Sequence, residues 1–215
     1  TISCKSNGRL LHIAIHDTRG KVVSDCLVPD TDIKADGQLS ADLQIVKPRL
    51  WSPESPALYT ATVSLYDETY QKDYKKAQPI DRQTTRFGVR TISYTKEHGF
   101  CLNGVSRKFK GVCLHHDLGP LGAAVNRDAL IRQVLILKDM GCDAIRTAHN
   151  MPSTMQMEVY DSLGMMVMAE SFDMWIYPKC KNGYARFFKE WADKDITNLI
   201  LNHRNHPSLV MYSIG

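Results

Sequence analysis

At Phe87-Gly88-Val89-Arg90 the spacing of apolar residues changes, from a period of two to short apolar runs that alternate with helical stripes. A strand turns successive side chains to opposite faces, whereas a helix brings them back to one face about every 3.6 residues, so one layer cannot serve both patterns. The change predicts two folding units of different class, 1–88 and 89–215. The first is all-β and the second α/β, and the length of 215 residues is enough for two small domains.

In the first part Leu11, Ile13 and Ile15 alternate with His12, Ala14 and His16, and Asp17-Thr18-Arg19-Gly20 leads into a second run at 21–28. That is the pattern of a hairpin. Leu39, Ala41, Leu43 and Ile45 repeat the period of two, as do Tyr59, Ala61, Val63 and Leu65. Several half-buried antiparallel strands imply a small sandwich. Between the last two runs lies Leu50-Trp51-Ser52-Pro53-Glu54-Ser55-Pro56. Its prolines are barred from a central strand, which predicts a crossing between sheets or an edge.

The second part begins with one more hairpin, Phe100-Cys101-Leu102 and 105–110 around Asn103-Gly104, a pair that tolerates the positive φ angles of a type I′ turn. Alternating units follow. Strands are predicted at 111–116, 144–147, 165–170 and 209–214, and helices at 127–140, 154–163 and 187–202. Asn126 and Ser153 are suited to capping the first two helices, and Gly141 and Gly164 to ending them. Short helix-Gly-strand joints describe right-handed βα units on a parallel sheet. The loop after the first strand, His115-His116-Asp117-Leu118-Gly119-Pro120, is not a Gly-rich phosphate cradle. A barrel therefore fits better than a doubly wound nucleotide-binding sheet, and four strands make half of one.

Composition narrows the function classes. The net charge of +4 is spread along the chain, with short basic runs only at 72–76 and 107–110. These read as solvated turns, so no nucleic-acid partner is expected. No apolar stretch approaches the roughly 18 residues of a membrane span, so no membrane partner is expected either. The six cysteines lack C-x-x-C spacing and read as free thiols. The start, Thr1-Ile2-Ser3, has neither Met nor the regions of a signal peptide, as expected of an excised or processed segment. Compartment stays open; the parent is expected to be soluble, and a periplasmic or secreted one is among the possibilities.

Ligands of parallel α/β folds meet the carboxyl ends of the strands. Here those ends read His115-His116-Asp117, Arg146-Thr147-Ala148-His149-Asn150, Glu170-Ser171-Phe172-Asp173-Met174-Trp175 and Ser213-Ile214-Gly215. His115 and His116 are adjacent, so only one faces the site while the strand stays regular. Arg146 and His149 can both face it only if the chain leaves strand geometry near Ala148. Glu170 ends an apolar strand, where a charge needs a partner, and Arg146 is the candidate. Trp175 beside Asp173 suits a sugar platform, an apolar ring face next to a polar acceptor. A zinc site from Cys113, His115, His116 and His149 is a weak rival, because no ligand pair has zinc-finger spacing.

Taken together, these segments resemble the family 2 glycoside hydrolases, most closely the β-galactosidase branch. The likeness is carried by Leu50-Trp51-Ser52-Pro53-Glu54, Phe87-Gly88-Val89-Arg90, Leu102-Asn103-Gly104, Lys110-Gly111-Val112 with His115, 144–150, Arg204-Asn205-His206-Pro207-Ser208 and Ser213-Ile214-Gly215. The resemblance implies an immunoglobulin-like sandwich followed by the first four strands of a (β/α)₈ TIM barrel. It also implies a retaining, exo-acting hydrolase of terminal β-galactosides, working with two carboxyls about 5 to 5.5 Å apart. In the family the fourth strand continues with Asn-Glu, the acid/base, and the nucleophile comes from a later strand. Residues 1–215 are accordingly expected to hold neither catalytic Glu and to be inactive alone. Substrate binding is expected of His115, Arg146, His149, Asn150, Glu170, Asp173 and Trp175. Leu114 and His116-Asp117 replace the Arg and Glu-His of the best-known members, and the third-strand segment lacks a Glu-x-His magnesium ligand. No metal or cofactor is expected. The partner is a carbohydrate substrate, with homo-oligomerisation of the parent left open. The Gly of Ser-Ile-Gly favours galactosidases over glucuronidases, which usually carry Ala. The alternatives are a β-glucuronidase-like or other β-glycosidase fragment and a noncatalytic carbohydrate-binding module.

Overall fold

The computed structural model describes residues 2–3, 9–29, 38–67 and 74–215. Cys4 and Lys72 lie outside them. The chain forms two compact units, Thr1–Arg49 with Leu58–Phe87, and Leu50–Ala57 with Gly88–Gly215.

The first unit contains β1 (Ile2–Ser3), β2 (Leu10–His16), β3 (Val22–Pro29), β4 (Gln38–Leu39), β5 (Tyr59–Tyr66) and β6 (Asp81–Phe87). Four of these make an antiparallel sheet in the order β3-β2-β5-β6, and β1 pairs with β4. β2 is central and buries Leu10, Leu11, Ala14 and Ile15. The β2–β3 hairpin turns where expected, because the Asp17 carboxylate accepts the backbone N–H groups of Arg19 and Lys21, each at 2.9 Å. Such a side chain holds the turn without help from the ladder. The strand expected over 39–45 forms only at Gln38–Leu39. Beyond it Ala41, Leu43 and Ile45 are half-buried and Ser40, Asp42, Gln44 and Val46 exposed. Alternating burial needs only an extended chain lying on a surface, and this stretch has no ladder among the described residues.

In the second unit β7 (Ile92–Thr95), β8 (Gly99–Leu102) and β9 (Val105–Ser106) form an antiparallel sheet. Asn103 and Gly104 join the last two with φ of +54° and +79°, the signs a type I′ turn requires. Then β10 (Gly111–Leu114), α1 (Arg127–Asp139), β11 (Ala144–Thr147), α2 (Thr154–Leu163), β12 (Met166–Glu170), α3 (Ala185–His203) and β13 (Leu209–Ser213) alternate. The sheet order is β10-β11-β12-β13, parallel throughout. A doubly wound sheet reverses direction at its switch point, whereas this one advances strand by strand, as a barrel does. The Asn126 side chain caps α1 by accepting the Ala129 N–H, and Ser153 with Gln156 forms a capping box at α2.

One face of the parallel sheet lies under the helices. There Ile145, Val167, Ala169 and Leu209 meet Leu130, Val134, Met157 and Leu199 in a closed apolar core. The other face carries Gly111 and Cys113, Ala144 and Arg146, then Met166, Met168 and Glu170, then Met211 and Ser213. These residues are matched across the strands by register.

Residues 50–57 do not cross between sheets of the first unit. They belong to the second. The reason is Trp51, which is 0% exposed and donates its indole N–H to the carbonyl of Asp161 at 2.9 Å. The Asp161 carboxylate in turn accepts the Ser208 N–H (3.0 Å) and hydroxyl (2.5 Å) and faces His206 Nδ1 at 2.5 Å. A large apolar ring with one satisfied donor fits a core better than a sheet edge. Trp51→Ala is expected to destabilise the second unit by about 3–5 kcal/mol, the usual range for emptying such a site. Hydrogen exchange should show protection falling in α2 and β13 while β2 and β5 keep theirs; the reverse pattern would contradict the assignment.

Candidate functional site at the carboxyl ends of the parallel strands

The site centres on Glu170, the last residue of β12 and 0% exposed. Register sets Arg146 of β11 beside Met168, two residues before Glu170 and on the same face. An Arg side chain spans that diagonal. It makes the two-toothed contact, Nε donating to one carboxylate oxygen at 2.7 Å and Nη2 to the other at 2.9 Å. Ser213, paired with Glu170 across β13, donates its hydroxyl at 2.7 Å. His149 Nδ1 completes the set at 2.7 Å. β11 ends at Thr147, so strand alternation stops before His149, and both it and Arg146 reach one carboxylate. The Glu170 N–H donates to Thr147 Oγ1 at 3.1 Å.

Burial alone pushes the Glu170 carboxyl up. The hydrogen bonds from Ser213, His149 and Arg146, with the Arg146 charge, outweigh it and hold the group below its ordinary value. Glu170 is therefore a fixed anion that accepts and does not supply protons. An ionised carboxylate can only accept, so His149 carries hydrogen on Nδ1 and turns Nε2 outward. Nε2 lies 3.8 Å from Asp173 Oδ1, too far for a direct hydrogen bond. Asp173 is held by Lys179 at 3.0 Å, and that hydrogen bond lowers its carboxyl too, against a smaller effect of desolvation. The His115 ring meets that of His149 edge-on, with centroids 5.4 Å apart. Below this layer Cys113, Arg146, Met168 and Met211 line an open cavity of about 240 Å³.

The structure thus gathers His115, Arg146, His149, Glu170 and Asp173. Trp175 lies two residues beyond Asp173, its indole N–H donating to the Ile214 carbonyl at 2.7 Å. Asn150 is exposed on the turn after β11, where its N–H bonds the Thr147 carbonyl, and its side chain does not join the hydrogen-bonded group. His116 turns away and lines a different recess with Leu118 and Leu130. Sequence reasoning passed over Ser213 and Lys179 as partners. Strand parity puts Ser213 on the same face as Met211, but only its register with Glu170 marks it as a donor; nothing in the spacing marks Lys179. Among the described residues no three His, Cys, Asp or Glu side chains are grouped to hold a metal ion. None of the helices described is long and apolar enough to cross a membrane.

Residues 94–215 match the TIM barrel domain model of glycosyl hydrolases family 2, and residues 9–90 match a second model of the same family. The chain belongs to glycosyl hydrolases family 2. The first unit is its immunoglobulin-like sandwich and the second the start of its TIM barrel. The chain is 45% identical to the β-galactosidase BoGH2A of Bacteroides ovatus over 173 residues, 80% of this chain and 19% of that protein. To a putative β-glucuronidase of Formosa agariphila it is 38% identical over 209 residues, 97% of this chain and 19% of that one. It spans about a fifth of these relatives' length. A crystal structure of a family 2 member from Bacteroides cellulosilyticus superposes with a TM-score of 0.84 at 34% identity, over 98% of this chain and 26% of that one.

A group titrating below its ordinary value adds stability above the unfolded value and loses it as pH falls through the folded value. Glu170→Gln should cost about 3 kcal/mol at pH 7, the low end for a buried pair because Arg146 is partly exposed. The difference from wild type should shrink as pH is lowered below about 4. Urea unfolding at several pH values checks this; a pH-independent difference would contradict it.

Proposed function

We propose that the protein to which residues 1–215 belong is a retaining, exo-acting glycoside hydrolase that removes terminal β-galactosyl groups. On this reading the cluster around Glu170 holds the nonreducing sugar, and the acid/base and nucleophilic carboxyls lie outside residues 1–215. The observation that carries it is the immobilised anion Glu170, which orients Arg146 and His149. It leaves His149 Nε2 and Asp173 Oδ1 facing one another across 3.8 Å. A sugar hydroxyl set to one side of the line joining them can lie about 2.8 Å from both, an ordinary hydrogen-bond distance. His115 meets the His149 ring beside this opening, and the half-exposed Trp175 follows Asp173 on the loop after β12. Binding energy from such contacts is useful where it orients the anomeric carbon against the reacting carboxyls.

Two readings compete for the sugar. The similarity to BoGH2A supports a galactoside, and the putative β-glucuronidase of Formosa agariphila supports a glucuronide. A uronate carboxylate needs a cation, and among the described residues the two cations touching the cluster, Arg146 and Lys179, are already paired with Glu170 and Asp173. That favours the galactoside.

The test is hydrolysis of p-nitrophenyl β-galactoside and β-glucuronide by the full-length enzyme, with the first-formed anomer followed by NMR. The galactoside should be cleaved faster and with retention, and residues 1–215 alone should give no turnover. Preference for the glucuronide would reverse the choice of sugar, and binding without turnover by the full-length protein would favour a noncatalytic module. Asp173→Ala should lower kcat/KM by roughly 10- to 100-fold, the loss expected on removing a charged hydrogen-bond partner.

A further inference from the structure

The ladder between β12 and β13 ends at the pair Glu170 and Ser213, yet the two chains stay together beyond it. The Ser171 N–H donates to the Ser213 carbonyl at 3.2 Å, and the Ser171 hydroxyl to the same oxygen at 3.4 Å. At the next carbonyl the donor is a side chain, the Trp175 indole, whose N–H reaches Ile214 at 2.7 Å. The indole is braced in turn. It stacks on Phe188 of α3 at 6.2 Å, and Phe188 meets Phe172 edge-on at 5.3 Å. Gly215 follows with φ of +104°, and a Cβ there would lie 2.7 Å from the Phe172 carbonyl oxygen and 3.3 Å from the indole nitrogen. The segment 171–175 thus grips the chain leaving β13 over 213–215.

An indole has one polar hydrogen and accepts none. In Trp175 that hydrogen is committed to a backbone carbonyl and is not free for a sugar hydroxyl. A sugar platform has no use for such a bond, whereas a clamp on a strand end depends on it. Barrel enzymes carry their reacting groups at the carboxyl ends of the strands, so whatever fixes the path out of β13 fixes the group which that path presents. We infer that Trp175 is a positioning residue of the reaction: through the Ile214 carbonyl it sets the backbone that leads to the acid/base carboxyl, and it does not hold the sugar. The inference rests on the glycoside hydrolase reading, in which that carboxyl continues β13. There the acid gives its proton to the leaving oxygen as the glycosidic bond breaks and the nucleophilic carboxylate bonds the anomeric carbon. An acid held slightly out of place fails a poor leaving group first, since a dinitrophenolate departs as the anion and needs no proton.

The experiment compares Trp175→Phe with wild type in the full-length enzyme, on the methyl and dinitrophenyl glycosides of one sugar. Phenylalanine keeps a ring against Phe188 and removes the N–H. For the methyl glycoside kcat/KM should fall roughly 10- to 100-fold, and for the dinitrophenyl glycoside by less than about threefold. A smaller folded fraction lowers both alike, so their ratio separates positioning from a structural role. Trp175→Gln returns an N–H without the ring and should bring the ratio back toward that of wild type. Equal losses on the two glycosides, no change on either, or a ratio further from wild type in the Gln variant than in the Phe variant would overturn the inference. Both glycosides are made with galactose and with glucuronic acid, so a wrong choice of sugar shows as activity on the other pair and Trp175 is judged on the pair that is cleaved. Equal losses in an active enzyme overturn the role of Trp175 alone; an enzyme that cleaves none of the four overturns the hydrolase reading with it.

Discussion

A carboxylate stripped of water destabilises a fold by several kcal/mol unless charge and hydrogen bonds surround it, and Glu170 is that group in the second unit. Its donors come from β11, from the turn after β11 and from β13. They converge only in one register. A one-residue slip of β11 would send Arg146 into the core beneath the helices and bring Thr147 to the site. The same carboxylate that fixes the site therefore selects the sheet, and a misregistered sheet is penalised by an unpaired charge.

This dependence explains what could be read in advance. The first two helices were legible because both ends are marked in the sequence, by Asn126 and Ser153 at their starts and by glycine at their ends, whereas α3 has no side-chain cap and rested on its periodicity. The pairing of Arg146 with Glu170 was legible because a charge at the end of an apolar strand demands a partner. Ser213 was not read as a donor, since a serine on a strand is as often a small filler as a hydrogen bond, and only the register with Glu170 separates the two. Lys179 was beyond reach for a different reason. Its contact depends on a loop that turns back on itself, and no periodicity records such a path.

In the first part of the chain the period-two pattern behaved unequally. At β2 and β5 it became hydrogen-bonded strand, while at 40–45 it became alternating burial alone. Period two reports which side of an extended chain is covered; whether a neighbouring backbone supplies hydrogen bonds depends on partners distant in sequence. Trp51 misled in the same way. Its prolines speak about local conformation, whereas the indole donating to Asp161, 110 residues away, decides where the segment goes.

That placement of residues 50–57 bears on how the gene can be divided. The two units are interleaved, not consecutive: the chain builds part of the sandwich, supplies a plug of eight residues to the barrel unit, and returns to finish the sandwich. A truncated gene beginning at residue 89 would make a barrel without Trp51, leaving the Asp161 carbonyl facing an empty slot. Domain exchange between relatives would therefore transplant cleanly only if this insert travelled with the barrel, so the portable unit is a pair of separated segments and not a contiguous block.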